Sequence, residues 1–233
     1  MEILEKIITE GLPQLGLELP ETAVRTMGAF AGALLEKNQV MNLTAITEPE
    51  QVARLHFLDS LTLLTLADFR GKRVIDVGCG GGFPGVPLAI ACPEMELTLL
   101  DSLGKRMTWL GQTLPELGIR AQCVTARAEE AVAERRESYD FAVSRAVARL
   151  NVLCELCLPY VKVGGFFLAM KGSAAGEETR EAERAIAALG GVLRGITRFP
   201  VEEAEHAVVS IQKIRPTPKQ YPRRYGKIKQ QPL

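Results

Sequence analysis

The segment Asp76-Val-Gly78-Cys-Gly80-Gly-Gly82-Phe-Pro-Gly85 restricts the fold more than any other part of the chain. Glycines at this density permit positive φ in a tight turn and let a ligand come close to the backbone. Just upstream, Val74-Ile-Asp-Val77 is a short β-rich run, and Pro84 has the fixed φ of a first helical position. A strand, a glycine loop and a helix in that order put the loop at the carboxyl end of a sheet, where α/β proteins bind ligands.

The same alternation continues downstream. Glu96-Leu-Thr-Leu-Leu-Asp101 predicts a second strand. Met107, Leu110, Leu114 and Leu117 then predict a helix that Gly118 can end. Ile119 to Val124 is a third strand, Tyr139 to Ser144 a fourth, and Gly165 to Met170 a fifth, with a helix over 152–158. Ala182, Ala185, Ile186 and Leu189 mark a helix stopped by Gly190. Two last strands, near 192–199 and 207–214, have no helix between them and should pair antiparallel at one edge. The expected architecture is α/β and Rossmann-like, a seven-stranded, mostly parallel sheet with helices on both faces.

The first 66 residues read as a helical extension. Val24, Met27, Ala31, Leu34 and Leu35 share one helix face. Thr47-Glu-Pro-Glu50 has the form of a capping box opening a second helix, down which Val52, Leu55, Leu58 and Leu61 run. The expected organisation is an N-terminal helical extension (1–66), a ligand-binding α/β domain (67–215) and a basic, Pro-rich tail (216–233).

Two cofactor classes use such a glycine loop. Gly80-x-Gly82-x-x-Gly85 formally matches a dinucleotide fingerprint. Its register is wrong, however: the glycine run starts at Gly78, two residues after an acid at the strand end. An acid there is awkward beside pyrophosphate but suits a ligand with an ammonium group, such as the methionyl part of S-adenosyl-L-methionine. Asp101 ends the next strand, 23 residues after Gly78, where a carboxylate can accept both ribose hydroxyls. That role serves either cofactor, as does capping the following helix. Gly78, Gly80, Asp101 and the adjacent Ser102 are candidate cofactor residues. Ala128 and Glu129, after the third strand, lie where an adenine would sit in either class.

Size and composition suit one hydrophobic core: 233 residues, 47% of them hydrophobic. No apolar run reaches the roughly 18 residues of a membrane span. The amino terminus lacks the pattern of a signal peptide. A cytoplasmic location is the resulting expectation, and the odd number of cysteines, five, fits free thiols. Cys154-x-x-Cys157 has no second pair and no nearby histidine, so no metal is expected. Net charge is zero but unevenly spread. Beyond residue 205 there is no acid, while Lys213, Arg215, Lys219, Arg223, Arg224, Lys227 and Lys229 give +7, leaving −7 on the body. Such an end either meets an anionic partner or serves as a solvated tail.

With Phe83-Pro-Gly85 in the loop, Arg127-Ala-Glu129 and Ser144-Arg-Ala146, the chain resembles the bacterial glucose-inhibited division protein B family. Asn42-Leu-Thr-Ala-Ile46, His56-Phe-Leu-Asp-Ser-Leu61 and the tail Arg215-Pro-Thr-Pro-Lys-Gln-Tyr-Pro-Arg-Arg224 carry the resemblance across nearly all of residues 40–233. The resemblance implies a class I methyltransferase acting on N7 of a guanine in 16S ribosomal RNA. It implies cofactor contact at Gly78, Phe83, Ala128, Glu129 and Arg145. It also implies an RNA role for the tail, with Lys219, Arg223, Arg224 and Lys227 as candidates. The expected partner is 16S ribosomal RNA or the small ribosomal subunit, with the enzyme a monomer.

Guanine N7 carries an in-plane lone pair at neutral pH, so no general base is required and catalysis rests on positioning. No catalytic residue is assigned. Arg145 is a candidate for touching cofactor or substrate phosphate, Lys171 a weaker one, and His56 reads as a packing residue. The tail's prolines suggest an extended segment. If all seven cations met single-stranded phosphate, log affinity would fall with log salt at a slope near −5. The competing readings are a small-molecule methyltransferase, with the N-terminal helices as a lid, and a non-enzymatic binder or an NAD-dependent enzyme.

Overall fold

The computed structural model describes residues 1–201 and 204–233. Its strands are β1 (Arg73–Val77), β2 (Glu96–Asp101), β3 (Gln122–Thr125), β4 (Tyr139–Arg145), β5 (Val161–Lys171), β6 (Gly191–Val201) and β7 (Ala204–Lys213). They form one sheet in the order β3-β2-β1-β4-β5-β7-β6. The first five pair parallel. β7 is antiparallel to both β5 and β6, so the last two strands do pair antiparallel at one edge. Chain order reverses between β1 and β4, and ligands of open α/β sheets bind at such a switch point.

Helices α1 (Glu2–Gly11), α2 (Glu21–Met41), α3 (Pro49–Val52), α4 (Asp59–Leu61), α5 (Gly85–Ala91) and α6 (Gly104–Glu116) send side chains to one face of the sheet. Leu4, Met27, Phe30, Phe57, Leu88 and Leu110 are buried in the same cluster as Val74. On the other face, α7 (Ala128–Arg135), α8 (Leu150–Cys157), α9 (Ala175–Ala188) and α10 (Tyr225–Gln230) cover Ile75 and Val77. The period-2 alternation of β1 thus feeds two cores, as a sheet covered on both faces requires. The N-terminal helices share a core with α5 and α6.

Three local expectations are corrected. The capping box does not form: α3 starts at Pro49 with Glu48 as N-cap and no side-chain cap. Proline's fixed φ and missing donor suit the first helical position, so the start falls there rather than at Thr47. In contrast, Pro84 is itself the N-cap of α5. Third, the tail is not extended throughout. Pro216, Pro218 and Pro222 precede α10, which forms and buries Ile228, and Pro232 lies just beyond it.

Candidate active site

Asp101 organises the site. Its Oδ2 accepts the Gly80 N–H at 3.0 Å and its Oδ1 the Leu103 N–H at 2.8 Å, tying the glycine loop to the end of β2. Asp101 braces the loop and the turn before α6, and does not cap that helix, whose N-cap Leu103 receives no side-chain cap. Most of the other loop amides are also spent internally. Gly78 and Cys79 donate to Leu100, Gly82 and Phe83 to Cys79, and Gly85 to Asp76. A pyrophosphate needs a cradle of free N–H donors. This loop offers a smooth backbone surface instead, which fits a phosphate-free ligand.

Above the loop is a cavity of about 450 Å³. Gly78, Asp101, Ser102, Ala128 and Glu129 line it, with Tyr225 from α10 as part of the wall. Gly78 has φ +76°, and an added Cβ would lie 2.5 Å from Val147. Only glycine leaves that approach open. Apolar Leu100, Ala126 and Leu156 share the lining with the carboxylates of Asp101 and Glu129 and the guanidiniums of Arg106 and Arg127. An adenosine with a hydroxyl-bearing ribose and an ammonium tail matches this mixture.

Of the other expected cofactor residues, Gly80 acts through its bond to Asp101. Phe83 and Arg145 lie beside the cavity rather than among its lining residues. Phe83 is buried, with His56 stacked on it at 4.5 Å and the Arg145 guanidinium 5.2 Å from its ring centre. Arg145 Nη1 donates to Leu55 O at 2.7 Å and Asp59 Oδ2 at 3.1 Å, and Nη2 meets His56 Nδ1 at 3.0 Å. Asp59 Oδ1 is 2.7 Å from His206 Nδ1. Thr44 Oγ1 closes on the other ring nitrogen of His56 at 2.7 Å. Burial, reinforced by the Arg145 charge, lowers the His56 pKa to about 4, so the ring is neutral at pH 7.

This network forms one wall of a second cavity, about 710 Å³, over the ends of β4 and β5. The two cavities share Ala146 and Val147. Ala146 has φ +55°, a left-handed conformation costly for a residue with a Cβ. Such strain persists where surrounding structure enforces it, and here it shapes the partition between the cavities. Lys171 lines the second cavity, its Nζ on Ala148 O at 2.6 Å and Glu178 Oε2 at 2.7 Å.

Sequence reasoning missed Asp59 and His206 as Arg145's companions, Glu178, and the π-helical segment Ala53–Leu58 that carries His56. A wide helical turn has no period of its own in the sequence. It also misread Asp76. That carboxyl is fully buried beneath the loop, with Oδ2 on the Gly85 N–H at 2.8 Å and Oδ1 without a partner. Burial pushes its pKa up to about 7, and the Asp101 charge adds to the rise. It shapes the loop from below rather than presenting a charge to a ligand.

The tail cations divide into two groups. Lys219, Arg224 and Lys227 are exposed. Arg223 is committed to buried Glu155, with Nη2 to Oε2 at 2.6 Å and Nε to Oε1 at 2.9 Å, so it anchors the tail. Lys213 is fully buried against Glu137, at 3.1 Å. The five exposed or half-exposed cations that remain would give a salt slope of about −3.5, not −5. No helix of the described residues is long and apolar enough to cross a membrane. Among them no group of three or more His, Cys, Asp or Glu is placed to hold a metal.

Comparison with known proteins agrees with this geometry. The chain is 45% identical over 99% of its length to the ribosomal RNA small subunit methyltransferase G of Alkaliphilus oremlandii, of which 99% is covered. It is 44% identical over 97% of its length to that of Alkaliphilus metalliredigens, 98% covered. A solved structure of P. horikoshii TYW2 in complex with MeSAdo superposes with a TM-score of 0.54 at 13% identity, over 67% of this chain and 61% of that one. That likeness establishes the Rossmann-like methyltransferase fold. The GidB family, described as rRNA small subunit methyltransferase G, matches residues 23–207, and the chain belongs to that family.

Proposed function

We propose that this protein transfers a methyl group from S-adenosyl-L-methionine to N7 of one guanine in 16S ribosomal RNA. The observation that carries the reading is the pair of cavities meeting at Ala146–Val147, one suited to the cofactor and one open to a base, in a member of this family. When bound, the cofactor supplies an electrophilic sulfonium methyl group.

The chain's own residues then position and shield. Asp101 and Ser102 sit where ribose hydroxyls need acceptors, Ala128 and Glu129 beside the adenine end, and Gly78 under the methionyl end. Gly80, Phe83 and Arg145 hold the loop and its flank in place. The N7 lone pair needs no proton removed, so the neutral His56 and the Asp59–Arg145 pair serve geometry rather than proton transfer. Lys219, Arg224 and Lys227 approach RNA phosphates from the tail.

The test is methyl transfer from labelled cofactor to small ribosomal subunits lacking this modification, and to the free RNA, with the label mapped by nuclease digestion. One labelled N7-methylguanine in 16S RNA is the expected result. Tight cofactor binding with no transfer to either RNA form would redirect the reading to a small-molecule acceptor.

A further inference from the structure

The cavity over β4 and β5 holds a carboxylate with acceptor capacity to spare. Glu178 lines it from α9, with its side chain mostly covered. Both of its strong bonds end on one oxygen: Oε2 accepts Lys171 Nζ at 2.7 Å and the Leu150 N–H at 2.7 Å. The cavity's other buried carboxylate, Asp59, has both oxygens engaged, by Arg145 and by His206. Apolar Ile46, Leu55, Val147 and Met170 supply surface for the faces of a planar ring.

Strand order gives these groups a direction. The cofactor cavity lies over β1, β2 and β3 and meets this one at Ala146–Val147, past the end of β4. Glu178 follows β5, the next strand outward, and so stands on the side away from the cofactor. In guanine, N7 and the 2-amino group lie at opposite ends of the fused rings. A base with N7 toward Ala146–Val147 turns its N1–H and 2-amino donors toward α9.

Building on the N7-methylation reading above, we propose that this cavity is the guanine subsite and that Glu178 Oε1 reads the base by accepting from its N1–H and 2-amino group. Enzymes that act on an extruded base read it at this edge. A carboxylate acceptor there favours guanine over adenine, whose N1 is itself an acceptor. Lys171 and the Leu150 N–H fix the rotamer of Glu178, leaving Oε1 toward the base.

The test compares two substrates on each enzyme preparation: small subunits rebuilt with guanosine at the target, and with inosine, which lacks only the 2-amino group. The wild-type protein should prefer guanosine by about tenfold or more in kcat/KM, because losing a hydrogen bond to a charged acceptor leaves that acceptor unpaired. In Glu178→Gln the preference should fall to within about threefold of unity, the amide being a poorer and partly repulsive partner. Partial misfolding cancels in this ratio. If Glu178→Gln yields too little protein, Glu178→Asp, with its carboxylate withdrawn, should lower the ratio in the same direction. A ratio unchanged in the variant, or a wild-type enzyme indifferent to inosine, overturns the assignment while leaving N7 methylation standing. Failure of the wild-type protein to methylate the guanosine subunits would overturn both.

Discussion

Two buried charges at the site make opposite demands. Asp59 and Arg145 are paired, with side-chain exposures of 4% and 16%. Arg145→Ala would leave Asp59 buried facing only His206, a loss of about 3–5 kcal/mol by the usual penalty for an orphaned buried charge. Thermal unfolding should register it, and turnover should fall with it because His56 and Phe83 lose their brace. Unchanged stability and turnover would remove Arg145 from the site's architecture. Asp76 behaves differently. Its pKa of about 7 in the folded protein exceeds the value of about 3.9 in an unfolded chain. Between those values the folded state holds a proton the unfolded state has lost. Its contribution is full below pH 4 and disappears as pH rises through 7. Asp76→Asn keeps an oxygen for the Gly85 N–H and should remove that dependence. From pH 5 to pH 8 the wild-type unfolding free energy should drop by on the order of 2 kcal/mol more than the variant's. Equal pH slopes in urea denaturation would show that Asp76 is charged in the folded state.

At the scale of elements the tail separates into anchor and handle. Glu155 holds Arg223, and Arg136 donates to Thr217 O and Tyr221 O, pinning the irregular stretch before α10. Replacing Lys219, Arg224 and Lys227 together with alanine should reduce the salt slope of RNA binding by about two, at roughly 0.7 per phosphate contact. Arg223→Ala should leave that slope essentially unchanged and instead lower the thermal midpoint and expose the tail to protease. A slope loss of about 0.7 for Arg223→Ala, that of one phosphate contact, would make it a phosphate ligand after all. The seven strands, the antiparallel edge and the loop were legible because hydrophobic period and glycine placement are local signals. Glu155's partner was not, since 68 residues separate Arg223 from the carboxylate it finds. Nor was the left-handed Ala146, since alanine carries no preference for positive φ that a sequence could show.

Over the whole molecule, the uneven charge meets the site at one place. Tyr225 opens α10 and lines the cofactor cavity, with the Arg127 guanidinium 5.8 Å from its ring centre. Lys227 and Lys229, on the same short helix, face solvent. Ile228 holds the helix to the body. A ligand packed on Tyr225 would brace the helix whose outer side offers cations to RNA, so the two binding events would share one element. Coupling of this kind is reciprocal: whatever factor cofactor binding adds to RNA affinity, RNA must return to cofactor affinity. Calorimetry with S-adenosylhomocysteine should give several-fold tighter binding in the presence of saturating small subunits. Subunit binding should tighten by the same factor with the nucleoside present. Tyr225→Ala should weaken nucleoside binding in the free protein and shrink the factor toward one. If the two affinities prove independent in the wild-type protein, α10 is only a wall of the cavity, and the basic end meets RNA without reference to what lies beneath it.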